Sequence, residues 1–213
     1  MPQPDPCSHI PLHPRLTDSL SAHGAFISHL PPGGHLLNGL CDKGDDLIWL
    51  RQQGYVVTAC DPQLHHAKAA SQRAGQAVRV SPLAQMRSVL PYDGIWISRP
   101  LVITATDPAD GLATLLQQLT GLLKPAAPLY FALCCETASE HNNWGDNDTQ
   151  ITAENRATAA HALNVMRMQH AILRQDLALQ QVWLTPAAVG QPPASQFLLL
   201  RRGDNVTRTD QLR

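Results

Sequence analysis

The sequence lacks any apolar run that reaches the roughly 18 residues needed to span a bilayer, so it predicts no transmembrane helix. Its first residues, MPQPDPCSHIPLHPRL, contain neither a basic start nor an apolar stretch, and a signal peptide is therefore not expected. Charge is sparse and balanced, since 16 basic and 17 acidic residues give a formal net charge of −1. A chain whose charges balance in this way is not expected to bind nucleic acid or acidic membranes.

Cysteine is also scarce, and the five residues present are an odd number. This predicts reduced thiols and a cytoplasmic protein rather than a disulfide framework. No C-x-x-C pair occurs, and the adjacent Cys134 and Cys135 are poorly placed to ligate one ion together, so no metal site is predicted. The 213 residues, 44% of them hydrophobic, are enough for one domain with a substantial core.

What the sequence does contain is a regular alternation of short apolar strands with helices. Strands are predicted at 35–38, 55–60, 77–80, 93–98 and 129–134, and helices at 15–30, 45–53, 62–74, 107–123 and 152–175. Two closing strands, near 181–184 and 196–201, have no helix between them, which favours an antiparallel hairpin. The pattern predicts an α/β fold: a doubly wound, mostly parallel, Rossmann-like sheet of seven strands that ends in this hairpin.

Four segments in order resemble the class I S-adenosylmethionine-dependent methyltransferases of the small-molecule type. Residues 26–63, FISHLPPGGHLLNGLCDKGDDLIWLRQQGYVVTACDPQ, resemble the family's opening helix, Pro-Gly turn, strand, glycine-rich loop and second strand. The segments YDGIWISRPLVIT, LLKPAAPLYFAL and SQFLLLRR resemble its fourth, fifth and last strands. The resemblance covers about residues 16–203, which we expect to form the domain, between an extended lead-in at 1–15 and a tail at 204–213.

The resemblance implies S-adenosylmethionine as cofactor and assigns residues to it. Asp61 stands where the family has an acid that accepts hydrogen bonds from both ribose hydroxyls; the other interpretation of Asp61 is a helix N-cap. The cofactor-binding candidates lie at the ends of four predicted strands, and they are Asn38, Gly39, Leu40, Asp42, Gly44, Asp61, Ser81 and Ser98.

The first loop departs from the family pattern D-x-G-x-G-x-G. Aligned on the strand, Leu40 and Asp42 stand at two of the three glycine positions and Gly44 at the third. Asp42 also places a carboxylate near the expected carboxylate of the cofactor. A one-residue shift would make Gly39 the first glycine and leave Cys41 in the middle, so both alignments stay open.

The acceptor side is less well defined by the sequence. Arg99, Leu101 and Trp144 are the candidates for contact with a small-molecule acceptor. Arg99 is equally well explained as a solvated loop charge, and Trp144 as a hydrophobic anchor of its loop. Ile103 occupies the position that the family often fills with His, so no catalytic base is assigned. His65 and His66 are expected to be solvated.

Three functions are weighed against one another. Methyl transfer to a small molecule is preferred, and a catalytically inactive methyltransferase fold acting as a regulatory or partner subunit is the alternative. A nicotinamide-dependent oxidoreductase is disfavoured because the first loop lacks G-x-G-x-x-G. Formation of an oligomer or binding of a protein partner is compatible with either of the first two functions.

Overall fold

The structure, a computed structural model, describes residues 21–102, 109–134, 153–173, 175–185 and 193–203. Its helices are α1 (Ala22–Ile27), α2 (Asp45–Gln52), α3 (Leu64–Ala74), α4 (Ala109–Leu122) and α5 (Ala153–Ile172), with a short 3-10 helix at Leu83–Gln85. Its strands are β1 (His35–Gly39), β2 (Val56–Asp61), β3 (Arg79–Val80), β4 (Gly94–Leu101), β5 (Pro128–Cys134), β6 (Leu177–Thr185) and β7 (Ala194–Arg201).

The seven strands form one sheet in the order β3-β2-β1-β4-β5-β7-β6. The pairs among β1 to β5 are parallel, whereas β7 runs antiparallel to both β5 and β6. The prediction of a mostly parallel sheet with an antiparallel C-terminal pair is therefore confirmed. Because the winding direction reverses between β1 and β4, their carboxyl ends form the switch point where such sheets bind ligands.

Helices cover both faces of the sheet, as a doubly wound fold requires. Successive strand residues point to opposite faces, so Leu36 packs in a cluster with Phe26 of α1 and Leu50 of α2, and Leu37 packs in a second cluster with Leu116 of α4. The near-continuous apolar runs seen in the sequence are those of strands buried on both sides.

Several element boundaries differ from the sequence predictions, three of them in α3, β4 and β6. α3 begins at Leu64, two residues after Pro62, because Gln63 is extended and its N–H is bonded to the Asp61 carboxylate. β4 continues three residues past Ser98 to Leu101, with an irregularity in its pairing with β5. β6 is longer than predicted, since its half-exposed residues obscure the strand pattern. The lead-in at 1–15 and the tail at 204–213 lie outside the described residues.

The described helices include none that is long and apolar enough to cross a membrane.

Replacing Gly94 by alanine is expected to destabilise the fold, because a Cβ there would lie 2.7 Å from Leu30 Cδ2 and 3.0 Å from Phe26 Cζ. Overpacking of this kind costs about 1–3 kcal/mol, measurable as a lower urea midpoint. Gly121→Ala in α4 is the matched control. Its Cβ would meet nothing within 4 Å, so a gain of about 0.5–1 kcal/mol is expected. Equal stability of the two variants would contradict the packing described.

Candidate functional site

Most of the predicted site residues meet at the carboxyl edge of the sheet. They come from β1 and its following loop, from the end of β2, from the residue after β3 and from β4. Those that lie there are Asn38, Gly39, Leu40, Asp42, Gly44, Asp61, Ser81, Ser98 and Arg99. Trp144 lies outside the described residues, so its expected contact with an acceptor stays a prediction.

The loop after β1 holds a left-handed backbone at three alternate positions. The φ angles are 52° at Leu40, 47° at Asp42 and 85° at Gly44. These are the three positions that the unshifted alignment matches to the family's glycines, so the backbone favours that alignment over the shifted one. A left-handed conformation costs a residue with a side chain about 1–2 kcal/mol, so the surrounding contacts must hold Leu40 and Asp42 in place.

Two glycines of this segment lie against other parts of the chain. A Cβ on Gly39 would lie 2.7 Å from Leu83 Cδ1, and one on Gly44 would lie 3.0 Å from the Cα of Ala70 in α3. Gly44 is also the N-cap of α2. The close contact with backbone, together with the positive φ, explains why glycine is retained at position 44 of the loop.

Asn38 is fully buried at the end of β1. Its Nδ2 donates to the carbonyl oxygen of Trp96 at 3.2 Å. Its Oδ1 has no hydrogen-bond partner in the part of the chain that the structure describes. A buried acceptor without a partner carries a desolvation cost of about 1–3 kcal/mol, so a bound donor at this position would stabilise the protein.

The carboxylate of Asp61, at the end of β2, is fully buried and hydrogen-bonded by backbone on both oxygens. Oδ2 accepts from the N–H of Asp42 at 3.1 Å, and Oδ1 accepts from the N–H of Gln63 at 2.8 Å. The first bond fixes the loop after β1 and the second the turn into α3. Asp61 therefore contributes to the start of α3 without being its N-cap, which is Gln63.

His66, in the first turn of α3, lies at the centre of a polar cluster. Its Nε2 is 3.2 Å from Asp42 Oδ1, and its Nδ1 is 3.4 Å from Asp61 Oδ1. Arg99 Nη1 lies 3.1 Å from the same Nδ1. The expectation that His66 is solvated was wrong, because its side chain is only 16% exposed. Sequence reasoning missed it because the start of α3 was placed two residues too early, and no motif marks His66.

Ser98 belongs to a second polar cluster, beneath α1 and α2. Its hydroxyl donates to Asp46 Oδ2, and His23 Nε2 lies 3.5 Å from Asp46 Oδ1. Burial by itself raises the pKa of Asp46, but the hydrogen bonds from His23 and Ser98 outweigh it and hold that pKa below its usual value. The side chain predicted to face the cofactor thus has an internal partner, which the sequence did not indicate.

The remaining predicted residues have local partners. Ser81 donates its N–H to the Asp61 carbonyl at 3.2 Å and its hydroxyl to the Pro82 carbonyl at 3.2 Å. Leu101 is half-buried against the core on the α4 and α5 face, beside Leu133. Arg99 contacts His66, so it is not the solvated loop charge of the alternative interpretation.

Cys41 in the loop and Cys60 in β2 are buried thiols. Burial raises the pKa of Cys41 to about 12, with Asp61 adding to the effect, and burial raises that of Cys60 to about 11. Because the thiolate is the reactive form, neither cysteine is a nucleophile at neutral pH.

The structure is similar to several solved methyltransferases. The N-methyltransferase NodS from Bradyrhizobium japonicum WM9 matches with a TM-score of 0.56 and 12% identity over 83% of this chain and 90% of that chain. The magnesium protoporphyrin IX methyltransferase (ChlM) from Synechocystis PCC 6803, with bound SAH, matches with a TM-score of 0.57 and 14% identity over 80% and 74% of the two chains.

A third similar structure is the 1,6-didemethyltoxoflavin-N1-methyltransferase from Burkholderia thailandensis, with bound 1,6-didemethyltoxoflavin and S-adenosylhomocysteine. Its TM-score is 0.56 at 15% identity, over 84% of this chain and 75% of that one. The chain thus has the fold of the class I S-adenosylmethionine-dependent methyltransferases, as the sequence resemblance implied. No family profile and no curated protein matches the sequence.

Gly44→Ala is expected to destabilise the protein by about 2–5 kcal/mol, the sum of left-handed strain and overpacking against the Ala70 backbone. Gly75→Ala is the matched control. Gly75 has a φ of +62° with nothing within 4 Å of a new Cβ, so only the strain of about 1 kcal/mol is expected. Urea unfolding measures both, and equal losses would contradict the close approach of α3 to the loop.

Asp46→Asn is expected to destabilise the protein by about 1–3 kcal/mol at neutral pH. The amide carries no negative charge, so it accepts the hydrogen bonds from His23 and Ser98 less strongly than the carboxylate does. The folded pKa is depressed, so this stabilisation is complete above the unfolded value of about 3.9 and is lost as pH falls through the folded pKa. Urea unfolding of both proteins down to about pH 3 measures the difference. A difference that grows on acidification would contradict the assignment.

Proposed function

We propose that the chain binds S-adenosylmethionine at the carboxyl ends of β1, β2 and β4 and transfers its methyl group to a small-molecule acceptor. The observation that carries the proposal is the loop after β1. It keeps a left-handed backbone at Leu40, Asp42 and Gly44, although two of these residues have side chains. Strain of this kind persists only where the surroundings require it, and it clusters at ligand sites.

The residues present fit the cofactor in three respects. The N-terminus of α2 offers backbone N–H groups to the methionine end, whereas the N–H groups of Cys41, Asp42 and Gly44 in the loop are already bonded within the chain. Asn38 Oδ1 is a buried acceptor in need of a donor, as described above. Asp61 supplies a carboxylate for the ribose hydroxyls, provided that the side chains over it move, because its own exposure is 0%. The backbone and the hydrogen-bonding groups therefore fit the cofactor, whereas the side chains in their present positions do not.

S-adenosylmethionine, when bound, supplies an electrophilic methyl group. The chain's own part would be to hold the nucleoside through Asp61, to orient the methionine end along the loop and to exclude water. Arg99, Leu101 and Trp144 are proposed for the acceptor side. No described residue is assigned as a base, and an acceptor that is already deprotonated would need only positioning.

The alternative, an inactive methyltransferase fold serving as a partner subunit, is favoured by a specific observation. Asp42 carries a carboxylate and a half-exposed side chain within the loop, and Asp61 is closed to solvent. Either residue opposes cofactor binding as the side chains now lie. Binding measurements separate the two functions directly.

Isothermal titration calorimetry with S-adenosylmethionine and S-adenosylhomocysteine is expected to show micromolar binding. Asp61→Asn should weaken it by about tenfold or more, because neutral acceptors hold hydroxyl donors less strongly than carboxylates. Asp45→Asn is the control: this acid lies on the same edge, with 64% of its side chain exposed, and should bind as the wild type does. Thermal unfolding checks that each variant is folded.

No heat with the wild type up to about millimolar ligand would contradict the cofactor proposal and favour the partner subunit. Equal weakening in both variants would show that the loss of any acidic charge at this edge weakens binding, and would contradict a specific role for the Asp61 carboxylate.

A further inference from the structure

The side chains of His66 and Arg99 together cross the carboxyl end of β1. β1 lies between β2 and β4 in the sheet. Arg99 projects from β4 and His66 from α3, which follows β2, and their nearest atoms are 3.1 Å apart. The bridge they form therefore passes over the end of the strand from which the left-handed loop departs.

The imidazole of His66 also covers the carboxylate of Asp61. That carboxylate has about four lone-pair positions. Backbone N–H groups take two of them, and His66 Nδ1 lies 3.4 Å from Oδ1. The backbone bonds are part of the loop and of the entry to α3, and only local unfolding would release them. The imidazole, in contrast, can leave by rotation about its side-chain bonds.

The imidazole is held in place by a residue specific to this loop. Its Nε2 lies 3.2 Å from Asp42 Oδ1, and Asp42 stands at a glycine position of the family pattern. Groups from three elements thus surround one ring. Because the Arg99 guanidinium can only donate, Nδ1 accepts from it and Nε2–H donates to Asp42, so the ring lies against the Asp61 carboxylate without a hydrogen bond to it.

Resting on the proposed function, we infer that His66 is an internal occupant of the ribose position and sets the affinity for the cofactor. In the structure it covers Asp61 and is fixed by Asp42 and Arg99. Binding of a nucleoside with free 2′ and 3′ hydroxyls requires the imidazole to swing away, and those hydroxyls then take its place on the carboxylate. The apparent affinity is lowered by the fraction of molecules in which His66 covers the site.

The test compares His66→Ala with His65→Ala by calorimetry, using S-adenosylhomocysteine as the probe. His65 is the matched control because it is a histidine in the same turn of α3, is exposed, and contacts the His66 ring at 4.1 Å between centroids. His66→Ala is expected to bind about tenfold more tightly than the wild type, and His65→Ala within about twofold of it. His66→Asn, whose shorter side chain cannot span Asp42 and Asp61, should repeat the gain if the alanine variant folds poorly.

A second pair of probes tests whether the position under His66 is that of the ribose. Both adenosine and 2′,3′-dideoxyadenosine should gain affinity when the cover is removed, but adenosine should bind His66→Ala more tightly, because only its hydroxyls can donate to the exposed Asp61 carboxylate. In the wild type, the ring nitrogen resonances of His66 in a ¹H–¹⁵N spectrum should shift on addition of S-adenosylhomocysteine, and this readout needs no activity.

The outcomes separate the inference from the proposed function. Binding by the wild type with no gain in either His66 variant overturns the role of His66 and leaves the cofactor proposal intact. Binding by His66→Ala alone supports the cover and makes the wild type an inhibited form. No binding by any of the proteins overturns both, and equal affinity of adenosine and 2′,3′-dideoxyadenosine for His66→Ala overturns the ribose assignment.

Discussion

The carboxyl edge of this sheet depends on one buried carboxylate. Asp61 is fully buried, and an ionised group in that position must be hydrogen-bonded or it would destabilise the fold. The bonds it accepts come from Asp42 and Gln63. They fix the position of the loop after β1, and they make α3 begin at Leu64, two residues later than the sequence predicts. The conformation of the loop, the position of His66 and the closure of the site all follow from satisfying this one side chain.

The topology could be predicted from the sequence because it rests on local patterns. Apolar runs such as YVVTAC and LYFALC have the length and β-branched or aromatic content of strands buried on both faces, and helices between them impose parallel pairing. The closing strands, with no helix between them, could only return antiparallel. The length of β6 was underestimated because its exposed edge residues do not alternate cleanly. The resemblance to the methyltransferases came from the same local segments, in the same order.

The site could be predicted only in part, because its contacts join residues far apart in the chain. The unshifted alignment places Leu40 and Asp42 at glycine positions, and both residues have a left-handed backbone. The contacts of Arg99 with His66 and of Ser98 with Asp46 span 33 and 52 residues, and no local pattern encodes either. Roles inherited from a family motif assume that each side chain faces a ligand. Here two of these side chains face other side chains, which only the packing of α2 and α3 against the sheet decides.

The departures from the family pattern are coupled and so cannot be weighed one at a time. Asp42 replaces a glycine, and the same carboxylate holds His66 over Asp61. The altered loop and the covered site are thus one feature. If the cover is worth about 1.4 kcal/mol, the apparent affinity for a nucleoside falls about tenfold, which weakens binding without abolishing it. An altered glycine loop therefore argues for weakened and adjustable cofactor binding as much as for its loss. The free energy of the proposed His66 cover therefore bears on cofactor affinity as directly as the number of missing glycines does.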